Sequence, residues 1–236
     1  MARATQLSFD DHRRRIGRGG PRVGAGRPPG PRPIVYHVRR DAHPRECPAH
    51  VTLRLLGDVP SLRTRPFLRE LRRSLAAACE RGEFRVAQFS VQRDHLHLLV
   101  EATGKSALGR GMKSISARVA RAVNRVFSRS GPVLLGRYHV HALRTPREVR
   151  NALAYVLLNA RKHWRQRMGS APPVKLDEAS SAGWFDGWAR RAQPPSSSSD
   201  PAPIAPPRTW LLRVGWRRHG LLDPAEIPGQ PRKSAL

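Results

Sequence analysis

Two alternating apolar runs constrain this chain most: FRVAQFSVQ (84 to 92) and HLHLLVEA (95 to 102), separated only by Arg93 and Asp94. Each run has the period-two pattern of a strand, and so short a gap reads as a tight turn, so the two are expected to pair as a hairpin. The segments around them fall into place on the same reasoning. HVTLRLL (50 to 56) alternates Val51, Leu53 and Leu55 with His50, Thr52 and Arg54, which predicts another half-buried strand. Phe67, Leu68, Leu71, Leu75 and Ala78 recur at helical spacing between Arg65 and Arg81, with Gly82 as the stop. From Gly104 to Arg129 a loop leads into an amphipathic helix with Ile115, Val119, Ala122 and Val126 on its apolar stripe. VLLGRYHVHAL (133 to 143) reads as a strand bent at Gly136. Thr145, Pro146 and Glu148 then supply a capping box with Pro at the first helical position, opening a helix expected to reach about Trp164.

The order strand, helix, strand, strand, helix, strand, helix fits an α+β fold, a ferredoxin-like antiparallel sheet with packed helices, over residues 47 to 165. Residues 1 to 46 contain RRRIGRGGPRVGAGRPPGPRP, too rich in Gly, Pro and like charge to pack, and read as a disordered basic arm. Residues 166 to 236 read as a Pro/Ser-rich tail whose aromatic stretches WFDGW (184 to 188) and WLLRVGW (210 to 216) are candidates to dock on the domain.

With 44 Lys and Arg against 17 Asp and Glu, the net charge of +27 points to a polyanionic partner, nucleic acid first. No apolar run approaches the ~20 residues of a spanning helix, and the arginine-rich start has no apolar signal core, so no membrane role is expected. Cys47 and Cys79 form neither a CxxC pair nor a disulfide framework, which suits the cytosol.

Chemistry is concentrated in Asp94-His95-Leu96-His97-Leu98-Leu99-Val100. Residues two apart on a strand share a face, so both imidazoles emerge together, and imidazole nitrogen suits several divalent metals. An ordinary hydrogen-bonded histidine pair is the plainer alternative. Glu101 falls on the same face by alternation, where it could orient an imidazole, and is expected in solvent. On the last helix Tyr155 and Asn159 lie one turn apart and share a face, with Arg161, Lys162 and His163 close by in sequence. A phenol with a pKa near ~10 needs cations or a base nearby before it attacks well; a rim tyrosine is the plainer reading. Tyr138-His139-Val140-His141 competes on pattern, with its two histidines expected in a DNA groove or at a strand edge, while nothing fixes the geometry of Tyr36 in the arm.

These motifs, DHLHLLVE (94 to 101), GRYHVHAL and AYVLLNARKH, resemble in order and spacing the HUH endonucleases, in the branch of single-tyrosine transposases that includes the insertion-sequence type and the REP-associated tyrosine transposases. The resemblance implies that His95 and His97 are the metal-binding His-hydrophobic-His motif, that Tyr155 is the nucleophile, and that Asn159 supplies a third ligand to Mg²⁺ or Mn²⁺. Many members have Gln at that last position, and REP-associated relatives commonly continue with Asn-Pro where this chain has Asn159-Ala160. It further implies a bacterial, cytoplasmic, nucleoid-associated enzyme, monomer or homodimer, that joins Tyr155 to a 5'-phosphate of single-stranded DNA with hairpin ends, in transposition or recombination.

Arg110, Lys113, Arg118, Arg121 and Arg125, in a segment without any acidic residue, are the expected phosphate contacts. A noncatalytic nucleic-acid-binding protein on the same fold is the rival reading. An RNA- or ribosome-associated basic protein accounts for the charge but gives the His and Tyr geometry no purpose.

Overall fold

The structure, a computed structural model, describes residues 42–170, 173–190 and 202–229. The basic arm through residue 41, Tyr36 included, and the Ser-rich stretch of the tail lie outside the described residues. Five antiparallel strands form one sheet: β1 (Ala49–Arg54), β2 (Glu80–Arg81), β3 (Phe84–Val91), β4 (His95–Ala102) and β5 (His139–Ala142), in the order β2-β3-β4-β1-β5. Leaving out the two-residue β2, this is the ferredoxin-like arrangement, with β1 between β4 and β5. The fold is α+β, with helices on both faces of the sheet.

One face carries α1 (Arg65–Ala76) and α2 (Lys105–Val126), joined in a single core by Val51 and Leu53 of β1, Leu96, Leu98 and Val100 of β4, Phe67 and Leu71 of α1, and Ile115 and Val119 of α2. A bulge between Val86 and Gln88 changes the phase of β3, so that Phe84 and Val86 before it and Phe89 and Val91 after it all join this core. Gly111 lets α2 approach closely: a Cβ there would stand 2.1 Å from the Phe84 ring. The helix α1 ends at Ala76, short of the expected Arg81, because Glu80 and Arg81 pair with Arg85 and Phe84 as a small strand. Gly82, with φ +54°, therefore turns that hairpin and does not stop the helix. The strand expected over 133 to 143 is split at Gly136 (φ 67°): Leu134 makes one bridge to Leu55, and regular pairing resumes only at His139.

The opposite face carries α3 (Pro146–Met168). Thr145 caps it by accepting from the Glu148 amide at 3.2 Å, the Glu148 carboxylate reaches back to the Arg144 amide at 2.6 Å, and Gly169 ends it in the left-handed region. Its apolar side, Val149, Leu153, Val156 and Leu157, packs with Leu99 and with residues of the C-terminal region: Leu176, Phe185, Leu212, Trp216 and Leu222. The two aromatic stretches thus lie on α3, and Trp216 is 1% exposed. The short helix α4 (Trp210–Arg213) is capped by the Thr209 hydroxyl. Arg150 and Glu226 form a buried ion pair that ties the described end of the chain to α3.

Candidate functional site

The residues of the site follow from strand phase. On β4 the even positions 96, 98 and 100 enter the α1/α2 core, so His95, His97, Leu99 and Glu101 face α3. On β1, Val51 and Leu53 enter that core and His50, Thr52 and Arg54 face α3. The register sets Thr52 beside His97, Arg54 beside His95, and His50 beside both Leu99 and His141. One sheet face therefore gathers an array of imidazoles from three strands.

Within it, His95 Nε2 and His97 Nε2 are 3.1 Å apart. His95 Nδ1 lies 2.7 Å from Asp94 Oδ1; a carboxylate only accepts, so Nδ1 carries a proton, and in the neutral ring the lone pair is on Nε2. His97 Nδ1 lies 3.1 Å from His50 Nε2 and 3.2 Å from Thr52 Oγ1. Both His97 tautomers consequently have partners: an Nε2 proton can be donated to His95, or an Nδ1 proton to Thr52 or His50. Burial, then the neighbouring His50 and His95, push the His97 pKa down to about 3, and burial with His141 pushes His50 down to about 4, so both rings are neutral near pH 7.

The helix α3 presents Tyr155, Asn159 and His163 at four-residue spacing to this face. The Tyr155 ring centroid is 5.0 Å from that of His97 and 5.7 Å from that of His50, in both cases edge to face. Lys162 Nζ stands 5.2 Å from the Tyr155 ring centroid. His163 is close enough for His95 to help depress its pKa, after burial. Asn159, between Tyr155 and His163, is 1% exposed, and neither its Oδ1 nor its Nδ2 has a hydrogen-bond partner.

Among the described residues no group of three or more His, Cys, Asp or Glu side chains is arranged to hold a metal ion. A set of two histidines and one amide is a different matter. Two nitrogens each roughly 2.1 Å from one cation stand about 3.0 Å apart at a right angle and about 3.4 Å apart at the tetrahedral angle. The 3.1 Å between His95 Nε2 and His97 Nε2 fits the right-angled case. The orphaned Asn159 amide on the facing helix is a polar group in need of a ligand.

The other sequence expectations fall in several places. Tyr138 packs toward the α1/α2 core, on the far side of the sheet from the histidines, which leaves Tyr155 as the tyrosine beside His97. His139 and His141 are exposed on the edge strand β5. Glu101 is not in solvent. At 4% exposure it accepts from the Arg208 amide (2.7 Å), the Thr209 amide (2.8 Å) and the Thr209 hydroxyl (2.6 Å), because the C-terminal region covers that end of the sheet. Nor does Arg161 attend Tyr155: its guanidinium is buried against the carbonyls of Pro173, Ala225 and Glu226. Arg110, Lys113, Arg118, Arg121 and Arg125 all lie on α2, across the sheet from the imidazoles, and Arg110 and Arg125 are paired with Glu83 and Glu70. His50 and Thr52 were not singled out by sequence. Their signal, a polar face on an alternating strand, acquires meaning only once β1 is known to lie beside β4.

No helix among the described residues is long and apolar enough to cross a membrane. Residues 46–143 match the family model described as "Transposase IS200 like", a segment that runs from β1 through β5, holds His95 and His97, and stops before Tyr155 and Asn159. No curated protein matches the chain. A solved structure described as "Structure of the REP associates tyrosine transposase bound to a REP hairpin" is similar at 18% identity and a TM-score of 0.42, over 54% of this chain and 74% of that one. Over residues 46–143, less than half of its length, the chain is similar to the IS200-like transposases.

Proposed function

We propose that the chain is a metal-dependent, single-tyrosine nuclease and strand transferase of single-stranded DNA. The observation that carries this reading is the juxtaposition of the Tyr155 and His97 rings across the layer between α3 and β4, at 5.0 Å. In the reaction, Tyr155 Oη attacks a phosphodiester phosphorus and the bond from phosphorus to the 3' oxygen breaks. The phenol gives up its proton to solvent, the leaving 3' oxygen takes one up, and the products are a 5'-phosphotyrosine and a free 3'-hydroxyl. Bond energy is retained in the ester, so the reverse attack by a 3'-hydroxyl rejoins a strand without nucleotide hydrolysis.

His95, His97 and Asn159 would hold Mg²⁺ or Mn²⁺. Bound there, such an ion supplies Lewis acidity toward a non-bridging phosphate oxygen and a template for the phosphate. Asp94 and Thr52 fix the ring orientations of the two histidines, as outer partners of metal-binding imidazoles do. Lys162 Nζ lies over the face of the Tyr155 ring, a cation–π contact that helps hold the ring in place. The ties between α3 and the C-terminal region hold the tyrosine helix to its own sheet, which favours attack within one subunit.

The test is a denaturing gel of protein incubated with Mn²⁺ and hairpin-ended single-stranded DNA. A covalent adduct is expected with the wild-type chain and not with Tyr155→Phe. An adduct that survives in Tyr155→Phe removes Tyr155 as nucleophile, and binding without any adduct favours the noncatalytic reading.

A further inference from the structure

At the end of the sheet away from His95, a cavity of about 670 Å³ opens between the start of β1, the end of β4 and the segment leading into α4. Trp210, Arg208, Arg144, Arg45, Glu83 and Thr103 are among the residues lining it. Trp210 is 48% exposed, unusual for the largest side chain in a region that buries Trp216 completely. The ring is braced. The Arg218 guanidinium lies over it at 4.8 Å from the centroid, and the Gly215 backbone sits so near that a Cβ would come within 2.6 Å of the six-membered ring. Arg208 is held by Glu80, and the Thr209 hydroxyl and amide by Glu101, so the segment carrying the platform is fixed to β2 and β4. The side chains of Arg144 and Arg45 are exposed and make no ion pair among the described residues.

A fixed indole with an open surface, flanked by uncommitted guanidinium groups, is the combination that binds an unpaired nucleotide: the ring stacks the base and the arginines meet the phosphate. Carboxylates at the rim, such as Glu83, are acceptors suited to exocyclic amino groups on a base edge. An acidic peptide would use the arginines and leave the indole idle. Glu101 lines the cavity and lies four residues along β4 from His97, about 13 Å at the rise of a strand. Both point to the α3 face. We infer that this cavity is a nucleotide subsite, in which Trp210 stacks one unpaired base a few nucleotides from the phosphate at Tyr155, while Arg144 and Arg45 engage the adjoining backbone. The inference rests on the single-stranded DNA reading above and adds to it a second point of contact that fixes which phosphate reaches the tyrosine.

An abasic site walked along the unpaired part of a hairpin-ended oligonucleotide tests it, with affinity read by fluorescence anisotropy on the full chain. In the wild type one position should weaken binding roughly 5- to 100-fold. The same position should be nearly silent in Trp210→Ala and sensitive again in Trp210→Phe. Arg144→Ala, at an exposed corner before α3, should weaken all sequences alike and lower the salt slope by about one. A wild-type position profile in a folded Trp210→Ala chain overturns the subsite. So does a site that takes free deoxynucleoside monophosphate, read by quenching of Trp210, while every abasic position in DNA is silent. If the walk is silent and the Tyr155 adduct still forms, only the subsite falls; if the wild type binds no single-stranded DNA, the functional reading falls with it.

Discussion

His95 Nε2 and His97 Nε2 face one another at 3.1 Å, each ring anchored through its other nitrogen, His95 by Asp94 and His97 by Thr52 and His50. Such anchoring orients a ligand and raises its basicity, and its loss typically weakens metal binding by about 10- to 100-fold. Thr52→Val and Asp94→Asn should therefore lower Mn²⁺ affinity by that order in titration calorimetry, and His97→Ala should abolish it. Unchanged affinity in His97→Ala would remove the histidine pair as the metal site.

Asn159 gives a prediction of opposite sign in two conditions. With both amide atoms buried and unpaired, it costs the metal-free protein about 1–3 kcal/mol of desolvation. Asn159→Leu, alike in branched shape and apolar, should raise the melting temperature in chelator and lose the further rise that Mn²⁺ gives the wild type. A variant less stable in chelator, yet still stabilised by Mn²⁺, would show that the amide has a structural partner and no role at the metal.

The depressed pKa values of His97, about 3, and His50, about 4, make the metal-free fold sensitive to acid. Between these values and the ordinary 6.5 the unfolded chain binds more protons than the folded one. Stability is thus fully present above pH 6.5 and is lost as pH falls toward 4 and 3, by an amount of the order of a few kcal/mol. Melting temperatures in chelator should fall over that window, and less steeply in His50→Asn. Parallel curves for the two proteins would contradict the burial of His50 as a neutral ring.

The basic face of α2 is separated by the sheet from the imidazoles, so its contribution to DNA binding should be separable from chemistry. Arg118→Glu with Arg121→Glu should weaken binding of all sequences and flatten the salt dependence, each lost phosphate contact lowering the slope by about one. Adduct formation at saturating DNA should survive. Full affinity with an unchanged slope would leave α2 as a solvated helix face.

The hairpin of β3 and β4 was legible in the sequence because period two is a local property, and the pairing of His95 with His97 followed from it. Tyr155 and Asn159 were legible as one stripe of a helix whose cap is written in Thr145 and Glu148. His50 was not, since its place beside His97 depends on β1 inserting between β4 and β5, a long-range pairing that no local pattern encodes. Glu101 and Arg161 were misplaced for the same reason on a larger scale: their partners stand 107 and 65 residues further along the chain. Gly82 misled because a glycine after a helical run stops a helix or turns a hairpin equally well.

Glu101 fastens the segment before α4 to the end of β4. Its carboxylate accepts from the amides of Arg208 and Thr209 and from the Thr209 hydroxyl, and the Arg85 guanidinium lies 3.7 Å away. Glu101→Ala leaves Arg85 with Glu80 and the Pro206 carbonyl, so the buried charge keeps partners, while the two amides lose theirs. The cost should be about 2–4 kcal/mol, from charge-assisted bonds lost and amides left unpaired in a dry setting. Hydrogen exchange at Arg208 and Thr209 should accelerate far more than at Leu98 and Val100 in the core of β4, and Trp210 fluorescence should lose its fixed environment. Glu101→Gln, which still accepts one bond, should fall between the two. If exchange at Thr209 is unchanged in Glu101→Ala, the segment before α4 is held by the burial of Leu212 and Trp216 alone, and the carboxylate only neutralises Arg85.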